Sequence, residues 1–135
     1  MGRGDYRLET KKLPEHYDDL TRSQSEIRKL FSTDAASVVH CTLPPKKTSL
    51  PTRNIGIVEI WYFITGQGEV WRKQEDADEG EEVRVSPGTS LIMPANVDFQ
   101  FRSISEEPLT FLCVTMPPWP GEHANLEVEG NWQPS

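Results

Sequence analysis

The sequence has few cysteines, no long apolar run and a deficit of basic residues. Its two cysteines, Cys41 and Cys113, are too few for a disulfide framework, and no Cys-x-x-Cys pair is present. Structural zinc of that type and thioredoxin-like chemistry are therefore excluded. No apolar stretch approaches the roughly 20 residues of a membrane-spanning helix, and no signal-peptide core follows the polar N-terminus. We expect a cytoplasmic protein with reduced thiols.

Acidic residues outnumber basic ones, with 21 Asp and Glu against 14 Lys and Arg, for a formal net charge of −7. Nucleic-acid binding depends on a basic surface that neutralises phosphates, so nucleic acid and anionic membranes are not expected partners. The 135 residues fit one domain, and the four Trp, five Phe and three Tyr supply apolar surface for a core. The composition thus predicts a globular single domain.

Short extended runs alternate with Pro and Gly turns from Ser37 onward, which is typical of an all-β sandwich or barrel. The predicted strands cover residues 37–43, 55–64, 69–73, 82–85, 90–93, 98–104 and 109–116. This many short strands predict two packed antiparallel sheets. Segment 58–64 is apolar on both faces apart from Glu59, so it predicts a central strand that is buried on both sides.

The segments that flank this core have different patterns. Residues 1–36 are polar and mixed in charge, with a weak helical patch around residues 25–31, and are expected to form an arm that packs on the barrel or on a partner subunit. Residues 119–135 form a Pro-rich, loop-like tail. Its Trp119 and Trp132 are expected to anchor the tail on the barrel or on a second subunit.

Two segments inside the core, residues 37–118, carry a family resemblance. Glu59 is followed after six residues by Gly66, and Gly88 is followed after five residues by Pro94. These spacings resemble the two motifs of the cupin superfamily, whose fold is a double-stranded β-helix, a jelly-roll-like barrel. The resemblance implies an all-β cupin barrel preceded by an N-terminal arm.

The resemblance also implies where a metal would bind. Many cupins hold iron, manganese, nickel or zinc with three histidines and one glutamate, as suits imidazole and carboxylate donors. Aligning the two motifs puts Thr52 and Asn54 at the first two histidine positions and Phe99 at the third. Only Glu59 of the usual ligands remains. We therefore expect no tightly bound transition metal and no cofactor.

Glu59 is the main candidate for chemistry. If it points into the barrel, desolvation raises its pKa unless a cation pairs with it. Two interpretations stay open: a general acid or base that works near neutral pH, or a structural ion pair with Arg53, Arg102 or Arg28. Perturbed acids occur in both settings, so the sequence does not decide between them.

Aromatic side chains are predicted to surround this carboxyl group. Strand alternation places Trp61 and Phe63 on the same face as Glu59, and Phe99 and Phe101 share a face on a later strand. Such rings predict a partly open pocket for a flat or apolar ligand. They are equally compatible with side chains that simply fill a small barrel.

Five polar residues complete the predicted site. Thr52, Arg53 and Asn54 lie where the missing metal ligands would be and are predicted to orient a carboxylate or carbonyl of the ligand. His40 and Tyr62 are candidate partners of the acid in proton transfer, because His titrates near neutral pH.

The resulting hypothesis is a metal-independent enzyme that isomerises, epimerises or eliminates on a small molecule. Cupins of this size include sugar isomerases and epimerases, so the resemblance to sugar-phosphate isomerase-like sequences implies carbohydrate-type substrates. A non-catalytic ligand-binding module and a metalloenzyme with an atypical site, using Glu59 and His40, remain alternatives. The resemblance further implies a homodimer that forms through an edge strand or the arm.

Overall fold

The structure is a computed structural model that describes residues 6–21, 24–121 and 125–135. Residues 1–5 and 22–23 of the predicted arm and residues 122–124 of the predicted tail lie outside this description. The described chain forms β1 (Asp19–Leu20), β2 (Glu26–Ser32), β3 (Ser37–Leu43), β4 (Thr52–Asn54), β5 (Val58–Thr65), β6 (Gly68–Lys73), β7 (Glu81–Val85), β8 (Ser90–Met93), β9 (Asp98–Ser103), β10 (Leu109–Met116) and β11 (Asn125–Glu127). No helix long and apolar enough to cross a membrane occurs in these ranges.

The strands form two antiparallel sheets. One has the order β1-β2-β3-β10-β5-β8 and the other the order β11-β4-β9-β6-β7. Because most neighbours in each sheet are not consecutive in the chain, the connections cross between the sheets as in a jelly roll. The predicted all-β fold with two packed antiparallel sheets is confirmed.

The core lies between the two sheets and is built from alternate residues of the long strands. Leu43 and Phe63 of the first sheet and Val70 and Val85 of the second are completely buried. Phe111 of β10 lies opposite Phe63 on one side and Cys41 on the other. Alternation along each strand therefore decides which side chains reach the interior.

All seven predicted strands are present, and the structure adds strands that were not predicted. β3, β8 and β10 have the predicted bounds, and the other four predicted strands differ by a few residues at their ends. β1 and β4 were not predicted, and the loop predicted at the tail contains β11, which pairs with β4. Strands of two or three residues carry no periodic signal of their own, since neighbouring strands define them.

The helical prediction for residues 25–31 is wrong, because this segment is strand β2. Ile27 lies opposite Cys41 in the ladder with β3 and is 6% exposed. The open edge of β3 and the burial of Ile27 outweigh a weak helical preference, which is a common outcome when tertiary contacts compete with propensity.

Residues ahead of β1 run beside β2 of the same chain. Lys11 Nζ donates hydrogen bonds to the carbonyl oxygens of Lys29 and Leu30, at 3.4 and 3.1 Å. Arg28 Nε donates to the carbonyl of Pro14 at 2.9 Å. The segment thus follows the edge of the six-stranded sheet.

β5 differs from prediction in its burial. It lies between β10 and β8, and its inward residues Glu59, Trp61 and Phe63 are buried. Its outward residues Ile60 and Tyr62 are 40% and 49% exposed. The prediction of a strand buried on both sides is therefore wrong for the single chain, because none of the described residues covers the outward side chains Ile60 and Tyr62 of β5.

Candidate functional site

A cavity of about 90 Å³ lies between the two sheets. Its walls come from β2, β3, β5 and β10 of one sheet and from β4, β9 and β11 of the other. Glu127, an exposed residue of β11, stands among its lining residues, so the cavity reaches the surface there. Both sheets therefore contribute side chains to one interior space.

Glu59 lies in the wall of this cavity and is 6% exposed. Trp61, two residues further along β5, donates its indole N–H to Glu59 Oε1 at 2.8 Å. Asn54 and the thiol of Cys113 also hydrogen-bond to the carboxyl group. Burial raises the pKa of Glu59, and the three hydrogen bonds lower it only in part. The protonated form is consequently stabilised.

The three arginines considered as ion-pair partners of Glu59 bind other carboxylates. Arg53 Nε lies 2.7 Å from Asp98 Oδ1, and Arg102 Nη2 lies 2.6 Å from Glu69 Oε1. Arg28 Nη1 lies 3.2 Å from the carboxylate of Glu26. The ion pair that was the alternative interpretation of Glu59 is therefore not formed with any of them.

Aromatic rings form the apolar part of the wall. Trp61 stacks on Phe111 with a centroid distance of 4.5 Å and meets Phe99 and Phe101 edge-on at 5.5 and 5.3 Å. All four rings line the cavity. Phe63, which was also predicted to bind a ligand, does not line it and is completely buried in the core.

Polar residues of β4 and β11 form the opposite part of the wall. Thr52 and Asn54 both line the cavity, and Thr52 Oγ1 donates to the carbonyl of Leu50 at 3.2 Å. Asn54 is 3% exposed, and Asn125 lies directly opposite it in the β4–β11 ladder. The side-chain oxygens of both asparagines are buried and have no hydrogen-bond partner among the described residues.

Three predicted site residues lie away from the cavity. Tyr62 points outward from β5 and is 49% exposed, and Arg53 is on the opposite face of β4 from its neighbours, where it binds Asp98. His40 is on the outer face of β3, opposite Arg28. Burial and the nearby Arg28 charge lower the pKa of His40. The structure does not bring these residues to Glu59.

Both cysteines line the cavity, which the sequence analysis did not predict. Cys41 and Cys113 are free and lie on the adjacent strands β3 and β10. Burial and the neighbouring Glu59 raise the pKa of both thiols, so both are protonated at neutral pH. Neutral thiols are poor nucleophiles. Trp119 and Asn125 were also missed, because only the fold of the tail places them at the cavity.

The residues at the cavity do not fit a transition metal. Within the part of the chain that the structure describes, no three His, Cys, Asp or Glu side chains are grouped so as to hold an ion. Beside Glu59 the walls offer an amide, two neutral thiols and aromatic rings, whereas such metals prefer imidazole, thiolate and several carboxylates. We therefore derive no step through a metal.

Solved structures with the same fold come from several organisms. An uncharacterized conserved protein of Klebsiella pneumoniae with a double-stranded β-helix domain has a TM-score of 0.69 and 15% identity, over 90% of this chain and 100% of that one. KdgF from Halomonas sp. has a TM-score of 0.63 and 17% identity, over 76% and 88%. Oxalate decarboxylase from Bacillus subtilis has a TM-score of 0.67 and 14% identity, over 77% and 28%. At these identities the likeness shows the fold alone.

No match was found among the curated proteins. The family model described as "Cupin domain" matches residues 39–115, which is more than half of the chain and includes most of the two sheets described above. The matched region contains Glu59, Gly66, Gly88 and Pro94 at the spacings noted in the sequence. The chain belongs to the cupin domain family.

Proposed function

We propose that the chain binds a small molecule in the cavity and that Glu59 exchanges a proton with it. The observation that carries this proposal is a carboxyl group, 6% exposed, in the wall of a cavity that opens to solvent at Glu127. A raised pKa brings both protonation states of Glu59 closer to neutral pH, where such a group is an effective general acid and a stronger base.

The geometry also narrows the reaction class. Isomerisation, epimerisation and elimination all begin when a base removes a proton from a carbon next to a carbonyl, which leaves an enolate. His40 and Tyr62 lie on the outer face of the sheet, so of the three predicted proton-transfer residues only Glu59 is placed to take and return the proton. One carboxyl group returns a proton to the face it came from. This favours isomerisation on one face over epimerisation, which needs a second acid on the opposite face.

Non-catalytic binding is the second candidate function. It is favoured because, among the described lining residues, the only charge-bearing group besides Glu59 is Glu127 at the rim. The remaining polar groups near Glu59 are an indole, an amide and neutral thiols. Under this alternative the aromatic walls and Asn54 hold a ligand and no bond is made or broken.

Hydrogen exchange in D₂O distinguishes the two candidates without knowledge of the reaction direction. Small hydroxyketones of three and four carbons, sized for a cavity of about 90 Å³, are incubated with the protein and followed by proton NMR. Catalysis predicts loss of the signal of a carbon-bound proton next to the carbonyl. We expect Glu59→Gln to slow this exchange by roughly 10²–10⁴-fold, as for loss of a general base.

Tyr62→Phe is the matched control, because Tyr62 lies on the outer face of β5, on the opposite side of the sheet from Glu59, and its replacement should leave exchange unchanged. Binding of the ketones without exchange would support the non-catalytic alternative. Exchange at the wild-type rate in Glu59→Gln would contradict the proposed role of this residue.

A further inference from the structure

The charge of the cavity wall restricts the ligand. Among the lining residues that the structure describes, the side chains that can carry a full charge are the acids Glu59 and Glu127, and no Lys, Arg or His is present. An anionic ligand would lose its hydration there and meet no cation among these described residues. Phosphate esters and carboxylates are therefore disfavoured.

The cavity wall also has buried hydrogen-bond acceptors without partners, which favours a ligand that donates hydrogen bonds. The donors of Trp61 and Thr52 are used within the protein, on Glu59 and on the carbonyl of Leu50. The side-chain oxygens of Asn54 and Asn125 have no partner within the described residues, and Asn54 is 3% exposed. A buried unpaired acceptor is unfavourable, so a ligand that donates hydrogen bonds here gains more than one that accepts them.

The aromatic walls add a third preference. Trp61, Phe99, Phe101, Phe111 and Trp119 all line the cavity. The faces of such rings attract cations, and the attraction is stronger when the cation is desolvated. The cavity of about 90 Å³ favours a compact organic ligand.

From these features we infer that the cavity takes a small organic cation, a primary ammonium group on a short carbon chain. Its N–H groups meet the side-chain oxygens of Asn54 and Asn125, which are paired residues of the adjacent strands β4 and β11, and the carboxyl group of Glu59. The rings contact the carbon chain and the adjacent charge. This inference depends on the binding half of the proposed function and not on catalysis.

Three probes with three carbons each test it: propylamine, 1-propanol and propionate, titrated into the ¹⁵N-labelled protein at one pH and one ionic strength. The indole N–H of Trp61 reports on the site because it donates to Glu59. We expect propylamine to shift this signal and to bind at least tenfold more tightly than propanol, with propionate weakest.

Glu59→Gln should weaken propylamine binding at least tenfold and change propanol binding less than threefold. Asn125→Ala, at the partly exposed end of the site, provides a second variant should Glu59→Gln fold poorly, and it should also weaken the amine selectively. Tyr62→Phe should behave as wild type.

The possible outcomes distinguish failure of the cation inference from failure of the small-molecule binding proposal on which it depends. If propanol or propionate binds as tightly as propylamine, the inference that the ligand is a cation is wrong. The proposal that the cavity binds a small molecule would still hold. If none of the probes shifts the signals of cavity residues, or if the amine shifts only exposed acidic loops, the binding proposal itself is overturned.

Discussion

Replacing Glu59 by glutamine should change how the stability of the protein depends on pH. The folded pKa of Glu59 is raised above its ordinary value of 4.5, mainly because the carboxyl group is buried. Between the unfolded and the folded pKa, the folded state therefore holds one proton more than the unfolded state. The free energy of unfolding must fall as pH rises through this window, and the stabilisation present at pH 4 is lost above the folded pKa.

The expected magnitude follows from the transfer of one proton. Inside the window, each pH unit shifts the folding equilibrium constant of the wild type up to tenfold toward the unfolded state, relative to a variant without the titrating group. The groups that face Glu59 are Trp61 on its own strand, Asn54 on β4, Cys113 on β10 and the nearby Cys41 on β3, and all are neutral at neutral pH. No titration of theirs compensates for the loss.

Glutamine preserves most of the local contacts. Its side-chain oxygen can still accept from Trp61 Nε1, which lies 2.8 Å from Glu59 Oε1, and its amide can donate to the unpaired oxygen of Asn54. At pH 4, where the buried acid is protonated, we expect the two proteins to differ by no more than about 1 kcal/mol, the net value of one hydrogen bond. At pH 8 the variant should be the more stable protein.

Urea denaturation at pH 4, 5, 6, 7 and 8 measures the two free energies of unfolding. Glu106→Gln is the control for the general effect of removing a carboxylate, because its side chain is 93% exposed. We expect the Glu106→Gln curve to run parallel to that of wild type and the Glu59→Gln curve to diverge from it as pH rises. Parallel curves for all of the proteins would refute the dry environment assigned to Glu59.

Further predictions concern the thiols, the turn glycines and the stacked ring. Cys41 and Cys113 should react with Ellman's reagent only after unfolding; fast reaction of the native protein would contradict their burial. Gly66→Ala should lower the free energy of unfolding by more than about 2 kcal/mol in urea melts, since its φ is +84° and its new Cβ would clash with the carbonyl oxygen of Pro108. Gly88→Ala, with φ +95° and open space, should cost only about 1 kcal/mol, and an equal cost at both sites would refute the contact. Trp61→Phe should destabilise the protein by about 1–3 kcal/mol, because it removes the donor to Glu59 and the stack on Phe111; an unchanged denaturation midpoint would contradict both contacts.

The long core strands could be predicted from the sequence because their residues alternate and turn residues bound them. β3, β8 and β10 have the bounds that this pattern predicts. The pattern fails at β2, where Ile27 is the single buried residue and pairing with β3 decides the conformation. It also fails at β4 and β11, which are too short for any period.

In the candidate site too, strand alternation predicts some residues correctly, whereas others depend on strand pairing that the sequence does not reveal. Alternation from Glu59 correctly places Trp61 on the cavity wall, and the same rule puts Tyr62 on the outer face, where its phenol cannot assist the acid. The position of His40 depended on the register with β10, which the sequence does not provide. Asn125 reaches the wall only because the tail pairs with β4.

The protonation state of Glu59 is the most direct test of whether its carboxyl group is buried with a raised pKa. Carbon-13 NMR of the glutamate side-chain carboxyls follows each acid through a pH titration, and Glu59→Gln identifies the resonance of interest. We expect the Glu59 carboxyl group to stay protonated above pH 4.5, the ordinary value for the group, because burial raises its pKa. A Glu59 resonance that titrates together with the exposed glutamates would contradict it.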